Sequence, residues 1–453
     1  MTDTTTCSCP SETSQMDRRA FLKNVGFCAG GIAAAMAAGP QMAFAGPVMN
    51  KKLIYIFLRG GADNFNILPP YADANYVAAR GDIAVRPPNF ADASKRALDI
   101  NGYFGMHPAM QALYNVWNNP ATRNELTIFN AVGNAPYDLR SHFDGEAYML
   151  RGDGVPSGAG HPVGWINRLL TVLTDEAQPG AVAMTGFPDM PLVFNGPEPT
   201  LTWLPPAAAT PSETDFMNRL MQMYGGENRL QALVQSAYNS RVQSRAMIAD
   251  HPQIANSVNR FSEFFGDDIR AELMALVMGM QNGPSIGYFE MGGWDMHAGA
   301  YSGGMSYYWS YPAWRIQHFA EAVAILRQRL IAQGQWQDTM IVVQSEFGRQ
   351  LRPNGATTVG NTSGTDHGWG GCAFVLTGNS ALHGWNIQQS GQMRGMVGNW
   401  PGLGSNVING NFNAIPGTVN FTPLLAGYVR AHYSMSDAEM RQVFPVLGGS
   451  SGA

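Results

Sequence analysis

The sequence predicts an α/β protein with a mostly parallel central sheet, helices on both of its faces, and a site at the C-terminal ends of the strands. Three observations predict this. Lys52-Leu53-Ile54-Tyr55-Ile56-Phe57-Leu58 is a nearly continuous apolar run, the composition of a strand covered on both faces. Further short apolar runs alternate with segments of helical periodicity, the order that builds strand–helix–strand units. The runs also end in acidic or His-bearing turns, and in open α/β sheets ligands bind outside the carboxyl ends of the strands.

The elements follow in order. The first strand runs into Arg59-Gly60-Gly61-Ala62-Asp63-Asn64, and a second, Leu126 to Val132, leads through Gly133-Asn134-Ala135-Pro136 towards Ser141. Helical periodicity starts near Trp165 and continues through Ile166, Leu169, Leu170 and Leu173, and residues 212–280 read as a mostly helical insertion. Ile286 to Glu290 is a strand ending at Gly292-Gly293-Trp294-Asp295. Pro312 opens a helix whose apolar stripe carries Trp314, Phe319, Val323, Leu326 and Leu330. After Gly334, Met340-Ile341-Val342-Val343 forms the strand that leads into Ser345-Glu346-Phe347-Gly348-Arg349. This strand–helix–strand unit is expected to be right-handed and parallel, putting Asp295 and Glu346 on one sheet edge. Thr365-Asp366-His367-Gly368-Trp369-Gly370 then places hard and borderline metal ligands just past a strand end. Residues 378–453 predict Gly/Asn-rich loop and one helix around Thr422–Tyr433.

Ahead of the fold lies a segment with the features of an export signal. Arg18-Arg19-Ala20-Phe21-Leu22-Lys23 is a twin-arginine pattern, Val25 to Ala38 is weakly apolar, and Ala43-Phe44-Ala45 predicts cleavage before Gly46. The apolar stretch is short and Gly-rich, well under the roughly 20 residues a spanning helix needs, so no stable membrane anchor is expected. The expected organisation is a signal over 1–45 and one domain over 46–453, placed in the periplasm or secreted. Removing 1–45 takes three basic and three acidic residues, so the formal charge stays at −5. It also leaves Cys372 as the one thiol, which excludes an internal disulfide. Charged residues make up 13% of the chain against roughly 25% in ordinary globular proteins, and no Lys/Arg run is present, which argues against nucleic-acid partners.

The twin-arginine start, Arg59-Gly-Gly-Ala-Asp63, Arg140-Ser141-His142-Phe143-Asp144, Trp294-Asp295-Met296-His297, Ser345-Glu346-Phe347-Gly348-Arg349 and Thr365-Asp366-His367-Gly368 form one ordered series. The series resembles a widespread family of exported bacterial proteins of unknown function within the alkaline phosphatase/sulfatase-like superfamily. The resemblance implies a two-metal hydrolase with a Ser or Thr nucleophile at a helix start. By position, Asp63 resembles the first-strand metal ligand, Ser141 the nucleophile, Asp295 and His297 the Asp/His pair for one metal, Glu346 the strand-end acid and His367 the late His. Arg140 or Arg349 would grip a phosphate or sulfate bidentately. Two features depart from the pattern. The Asp295–His297 spacing is shorter than the superfamily's, and Phe347 stands where a His is expected. A second metal site is then one ligand short unless Asp366, His142 or His107 substitutes.

Each residue also has a structural alternative. Ser141 opens a capping-box pattern with Asp144, and Asp63 after two glycines can stabilise a turn. Asp295 and His297, at alternate positions of an extended segment, either share a cation or make ordinary loop hydrogen bonds. Glu346 is either a ligand or an ion-pair partner of Arg349, and Asp366 either a ligand or the orienter of His367. His161, His251, His318, His383 and His432 carry no motif. The aromatic group Trp294, Tyr301, Tyr307, Tyr308, Trp309, Tyr311 and Trp314 either stacks sugar rings or packs loops, the latter being the default. Two functions remain. One is a hydrolase of phosphate or sulfate esters using one or two divalent ions (Zn, Mn, Ca or Fe) and a small-molecule or carbohydrate-like substrate. The other is a non-catalytic exported binding or assembly protein on the same scaffold.

Overall fold

A computed structural model describes residues 51–448 apart from 135–138, 157–159, 174–180, 185–190, 199, nearly all of 203–266, 280–283, 299–310, 355–363, 384–395 and 410–412. The twin-arginine segment, most of the 212–280 insertion, His251 and the aromatic residues from Tyr301 to Trp309 therefore lie outside the described residues.

The strands are β1 (Lys52–Leu58), β2 (Leu98–Asp99), β3 (Gly105–Met106), β4 (Leu126–Gly133), β5 (Ala181–Met184), β6 (Leu201–Thr202), β7 (Ile286–Met291), β8 (Thr339–Gln344), β9 (Gly371–Thr377), β10 (Met396–Val397) and β11 (Val419–Asn420). Nine of them form one sheet in the order β10-β4-β9-β8-β1-β7-β5-β6, with β11 also on β4. β1 sits at the centre, parallel to both β7 and β8, so Asp295 and Glu346 do leave the sheet at one edge, flanking the turn after β1. The arrangement is a mixed α/β sheet in which β9 alone runs antiparallel to its neighbours.

The helices are α1 (Asn64–Ile67), α2 (Ala74–Arg80), α3 (Gln111–Asn118), α4 (His142–Arg151), α5 (Trp165–Leu173), α6 (Asp267–Gly279), α7 (Tyr311–Ala332), α8 (Ser405–Ile408), α9 (Phe421–Tyr433) and α10 (Asp437–Val443). Strand side chains alternate between two cores. Ile54, Ile56, Phe289, Ile341, Val343 and Phe374 pack under α3, α6 and α7. Leu53, Tyr55, Tyr288, Met340, Val342 and Val375 pack under α4, α5, α9 and α10. Each fully buried side chain of this size contributes about 1.5–3 kcal/mol, and a one-residue slip would exchange the two faces, so the register is strongly fixed. Among the described residues no helix is long and apolar enough to cross a membrane.

The antiparallel β9 corrects one expectation. Asp366 and His367 stand before a strand, not past the end of one. Because β9 runs opposite to its neighbours, its beginning lies where theirs end, and the motif still reaches the same edge. Residues 348–350 pair with 366–369 on the way in, through Gly368 N–H to the Gly348 carbonyl at 2.8 Å and Gln350 N–H to that of Asp366 at 2.9 Å.

Candidate metal centre

Five segments meet at this edge, and their backbones are fitted closely. Gly60 and Gly61 turn the chain after β1 with φ of +121° and +67°, which an L side chain rarely adopts. A Cβ on Gly60 would lie 2.5 Å from the Asp295 nitrogen. The Gly60 amide donates to Glu346 Oε1 at 2.8 Å, and the Asn134 amide group, just past β4, donates to the Glu346 carbonyl at 2.8 Å. A bulge at Ala131, with φ of +50°, precedes that strand end. Arg349 ties the remaining loops together. It is 1% exposed and donates to the carbonyls of Gly60, Gly61, Trp294 and Thr365 and to Asp295 Oδ1.

On this frame the titratable side chains gather. His297 Nε2 lies 3.0 Å from His367 Nε2 and 3.0 Å from Asp295 Oδ1, and His367 Nε2 lies 3.2 Å from the same oxygen. His142, at the start of α4, brings its Nε2 to 3.4 Å from Asp295 Oδ2. Those separations approach the edge of about 3.3 Å between donors of a four-coordinate ion with bonds near 2.0–2.1 Å. Among the described residues three overlapping groups could hold a cation: His142/Asp295/His367, His297/Asp366/His367 and His142/Glu146/Glu346.

The protonation of His367 bears on whether the residues suit a metal. Its Nδ1 lies 2.6 Å from the Arg140 carbonyl, which only accepts, so the ring proton belongs on Nδ1 and the Nε2 lone pair faces inward. Burial, reinforced by the charge of Arg349, lowers the His367 pKa and favours this neutral form. An imidazole lone pair then faces a carboxylate oxygen, an arrangement that calls for a cation between them. His142 Nε2 is buried and forms no hydrogen bond among the described residues, which points the same way. Burial works to raise the Asp295 pKa, but hydrogen bonds and charge from Arg349 outweigh it and keep the carboxylate ionised. Glu346 is lowered too, its burial overcome by hydrogen bonds from His142 and backbone amides, while the hydrogen bond to Glu346 raises His142. The donor set fits a divalent ion.

Of the residues singled out in the sequence, Asp295, His297, Asp366 and His367 converge. Asp63 is placed elsewhere. Both of its oxygens receive the Arg80 guanidinium, at 2.6 and 2.8 Å, and one caps α1 through the Phe65 amide, so the turn-stabilising alternative describes what is seen. Glu346 comes to the edge but faces His142 Nδ1 at 2.7 Å, and Arg349 pairs with Asp295, which corrects the Glu346–Arg349 ion pair. Arg349 is also corrected as an anion grip, because its donors all turn inward. Arg140 donates to the His367 carbonyl at 2.9 Å and to Asp366 at 3.3 Å. Ser141 caps α4, its Oγ 3.5 Å from the Asp144 amide, between two residues that touch the cluster. His107 is fully buried, caps a turn through Nδ1, and belongs to none of the three groups. Trp294 is core, 2% exposed beneath the Arg315 guanidinium. His142 and Glu146 carried more than the sequence reading gave them. Their signal was the spacing i, i+4, which sets both on one face of α4.

A family profile described as "Protein of unknown function (DUF1501)" matches residues 50–386, and the chain belongs to that family. No curated protein matches it. Solved structures with some likeness include Ps i-CgsB in complex with k-i-k-neocarrahexaose, at 10% identity over 86% of this chain and 74% of that one, TM-score 0.34. A crystal structure of Ps i-CgsB is similar at 11% identity over 88% and 76%, TM-score 0.33. A protein in the alkaline phosphatase superfamily from Vibrio parahaemolyticus is similar at 10% identity over 78% and 69%, TM-score 0.27.

Proposed function

For this member of a family without an assigned activity, we propose an exported, metal-dependent hydrolase of phosphate or sulfate esters with Ser141 as nucleophile. One observation carries the reading: imidazole nitrogens from three separate segments surround the Asp295 carboxylate at the C-terminal edge of the sheet, beside the Arg140-Ser141-His142 turn. A divalent ion held there would supply charge against a substrate oxygen and lower the pKa of a nearby hydroxyl. Asp295, His297 and His367 would hold it, with His142 facing the other carboxylate oxygen. Ser141, at the N-terminus of α4, lies where the helix dipole favours developing negative charge. Arg140, next to Ser141 in the chain, keeps its guanidinium on Asp366 and the His367 carbonyl. The leader over 1–45 would carry the chain across the membrane by the twin-arginine route, releasing a single domain.

The test is hydrolysis of p-nitrophenyl phosphate and p-nitrophenyl sulfate by purified protein, before and after chelation and in Ser141→Ala. Ester turnover that falls on the order of a thousandfold or more in Ser141→Ala and is restored to the stripped native protein by added metal supports the reading. Turnover that persists in Ser141→Ala removes the nucleophile. Fractionation of Arg18→Lys/Arg19→Lys tests the route, which predicts retention in the cytoplasm. The second reading, a non-catalytic exported binding protein, is favoured by Phe347, whose ring lies 5.0 and 4.7 Å from those of His142 and His367 where a further ligand would enter. It predicts metal binding without turnover of either ester.

A further inference from the structure

We infer that the cluster is a single-ion centre in which His142, His297 and His367 bind through Nε2 and Asp295 through its carboxylate. Glu346 orients His142 and is not itself a ligand. The inference rests on the metal-centre part of the proposed function and is independent of whether an ester is hydrolysed.

The three imidazoles share one construction. Each turns Nε2 towards Asp295 and Nδ1 towards an oxygen: Glu346 Oε1 at 2.7 Å for His142, the Arg140 carbonyl at 2.6 Å for His367, and Asp366 Oδ1 at 3.4 Å for His297. Metal-binding histidines are built in this way, because an oxygen behind the ring fixes the tautomer and raises the basicity of the other nitrogen. His142 is the decisive member. Its Nδ1 proton is held by Glu346, and its Nε2 is buried without a hydrogen bond among the described residues, 3.4 Å from Asp295 Oδ2. A cation against Asp295 gives that nitrogen its partner.

Glu346 has no comparable vacancy. Its side chain is 0% exposed. Oε1 receives both the Gly60 amide and His142 Nδ1, and Oε2 lies 2.8 Å from Ser345 Oγ. Asp63 is likewise held by Arg80. Of the other groups found among the described residues, His297/Asp366/His367 shares both of its imidazoles with this centre, and His142/Glu146/Glu346 is already answered by a cation of the chain. Arg59 Nε lies 2.9 Å from Glu146 and its Nη1 3.3 Å from Glu290, so a second metal would have to displace a guanidinium as well as the His142–Glu346 hydrogen bond. Three imidazoles and one carboxylate also select the ion's class. This donor set suits a first-row transition ion such as Zn²⁺, Co²⁺ or Fe²⁺ over Ca²⁺ or Mg²⁺, which prefer oxygen.

The experiment is titration of the chelator-stripped full chain with Co²⁺, followed by visible absorption and by metal content after desalting. The expected result is saturation at one equivalent, with the intense absorption of a low-coordinate, nitrogen-rich site. Glu146→Gln is expected to keep one equivalent. Glu346→Gln is expected to keep one equivalent and the spectrum, with affinity about 10–100-fold weaker, the usual effect of altering an orienting group. His142→Ala is expected to change the spectrum as well as the affinity. His297→Ala, whose side chain is 44% exposed and so does not put folding at stake, is expected to do the same. Two equivalents in the native protein, falling to one in Glu146→Gln, would overturn the inference. So would a spectrum unmoved by His142→Ala but lost in Glu346→Gln, or no Co²⁺ binding at all. One bound equivalent with no ester turnover sinks the hydrolase and leaves this centre standing.

Discussion

Arg349→Lys is the substitution that asks most of the site's frame, because it keeps the charge and removes the fork. Arg349 meets five acceptors on three loops: the carbonyls of Gly60, Gly61, Trp294 and Thr365, and Asp295 Oδ1. A lysine carries three donors on one nitrogen, so at least two of these acceptors lose their partner. Each orphaned acceptor costs about 1–3 kcal/mol at a buried position, giving a loss of about 2–6 kcal/mol. That is a large part of the 5–15 kcal/mol a domain typically has, so the variant should be severely weakened. Urea unfolding followed by tryptophan fluorescence measures it, with Co²⁺ affinity of the surviving folded protein as a second readout, since Asp295 loses its anchor. A shift within about 0.5 kcal/mol of the native protein, the range of ordinary surface substitutions, would refute the assignment of Arg349 as the clamp.

Two further outcomes follow from packing and burial. Gly348→Ala would place a Cβ 2.1 Å from the Gly370 carbonyl oxygen and 2.6 Å from Asn64 Oδ1, so the pairing that brings His367 to the edge should separate. The expected readout is loss of stoichiometric metal together with a lower thermal midpoint, and native metal content would contradict it. Burial lowers His107 to about 3 and, with the charge of Lys51, His432 to about 4. Both are therefore neutral when folded, and the unfolded chain takes up their protons first. Stability is full above about pH 6.5 and falls towards pH 4 by up to about 1.4 kcal/mol per pH unit for each imidazole. Urea midpoints that stay flat from pH 6.5 to 4.5 would show that these rings are not buried as described.

Much of the fold was legible because it is written in contiguous residues. Lys52–Leu58, Leu126–Val132, Ile286–Glu290 and Met340–Val343 are apolar runs that fill both cores, and each became a strand within a residue or two. The direction of β9 was not legible. Gly371–Thr377 is as apolar as the others, and its antiparallel pairing depends on the return of the chain along 348–350, a contact between segments. The site divides similarly. The meeting of Asp295, His297 and His367 at one edge was legible from ligand chemistry and turn position. The roles of Asp63 and Glu346 were not, because each is decided by a distant partner. Arg80 lies 17 residues from Asp63, and His142 is 204 residues from Glu346. A carboxylate at a strand end reads as a ligand until the cation that already occupies it is known.

Phe347, read from the sequence as the loss of a ligand, has a built place in the structure. It is 2% exposed, and two glycines make room for its ring. A Cβ on Gly61 would stand 2.5 Å from Phe347 Cε2, and one on Gly145 would stand 3.3 Å from its Cδ1. The ring backs His142 and His367, whose own planes meet edge to face at 4.4 Å and 79°. An apolar wall behind two inward-turned imidazoles fixes both ring planes and would exclude water from an ion held there. Phe347→Ala should then cost about 3–5 kcal/mol, the usual range for a buried phenyl, and weaken Co²⁺ binding without altering the one-to-one endpoint. Phe347→His is the sharper case. If the residue were merely a missing ligand, restoring the imidazole would create a second ion site. With Arg59 paired to Glu146, Glu346 turned to His142, and His297 and His367 already used by the first ion, no second independent set of donors is open among the described residues. The variant should lose stability and still saturate at one equivalent, and a second tightly bound ion would return Phe347 to the status of a deletion.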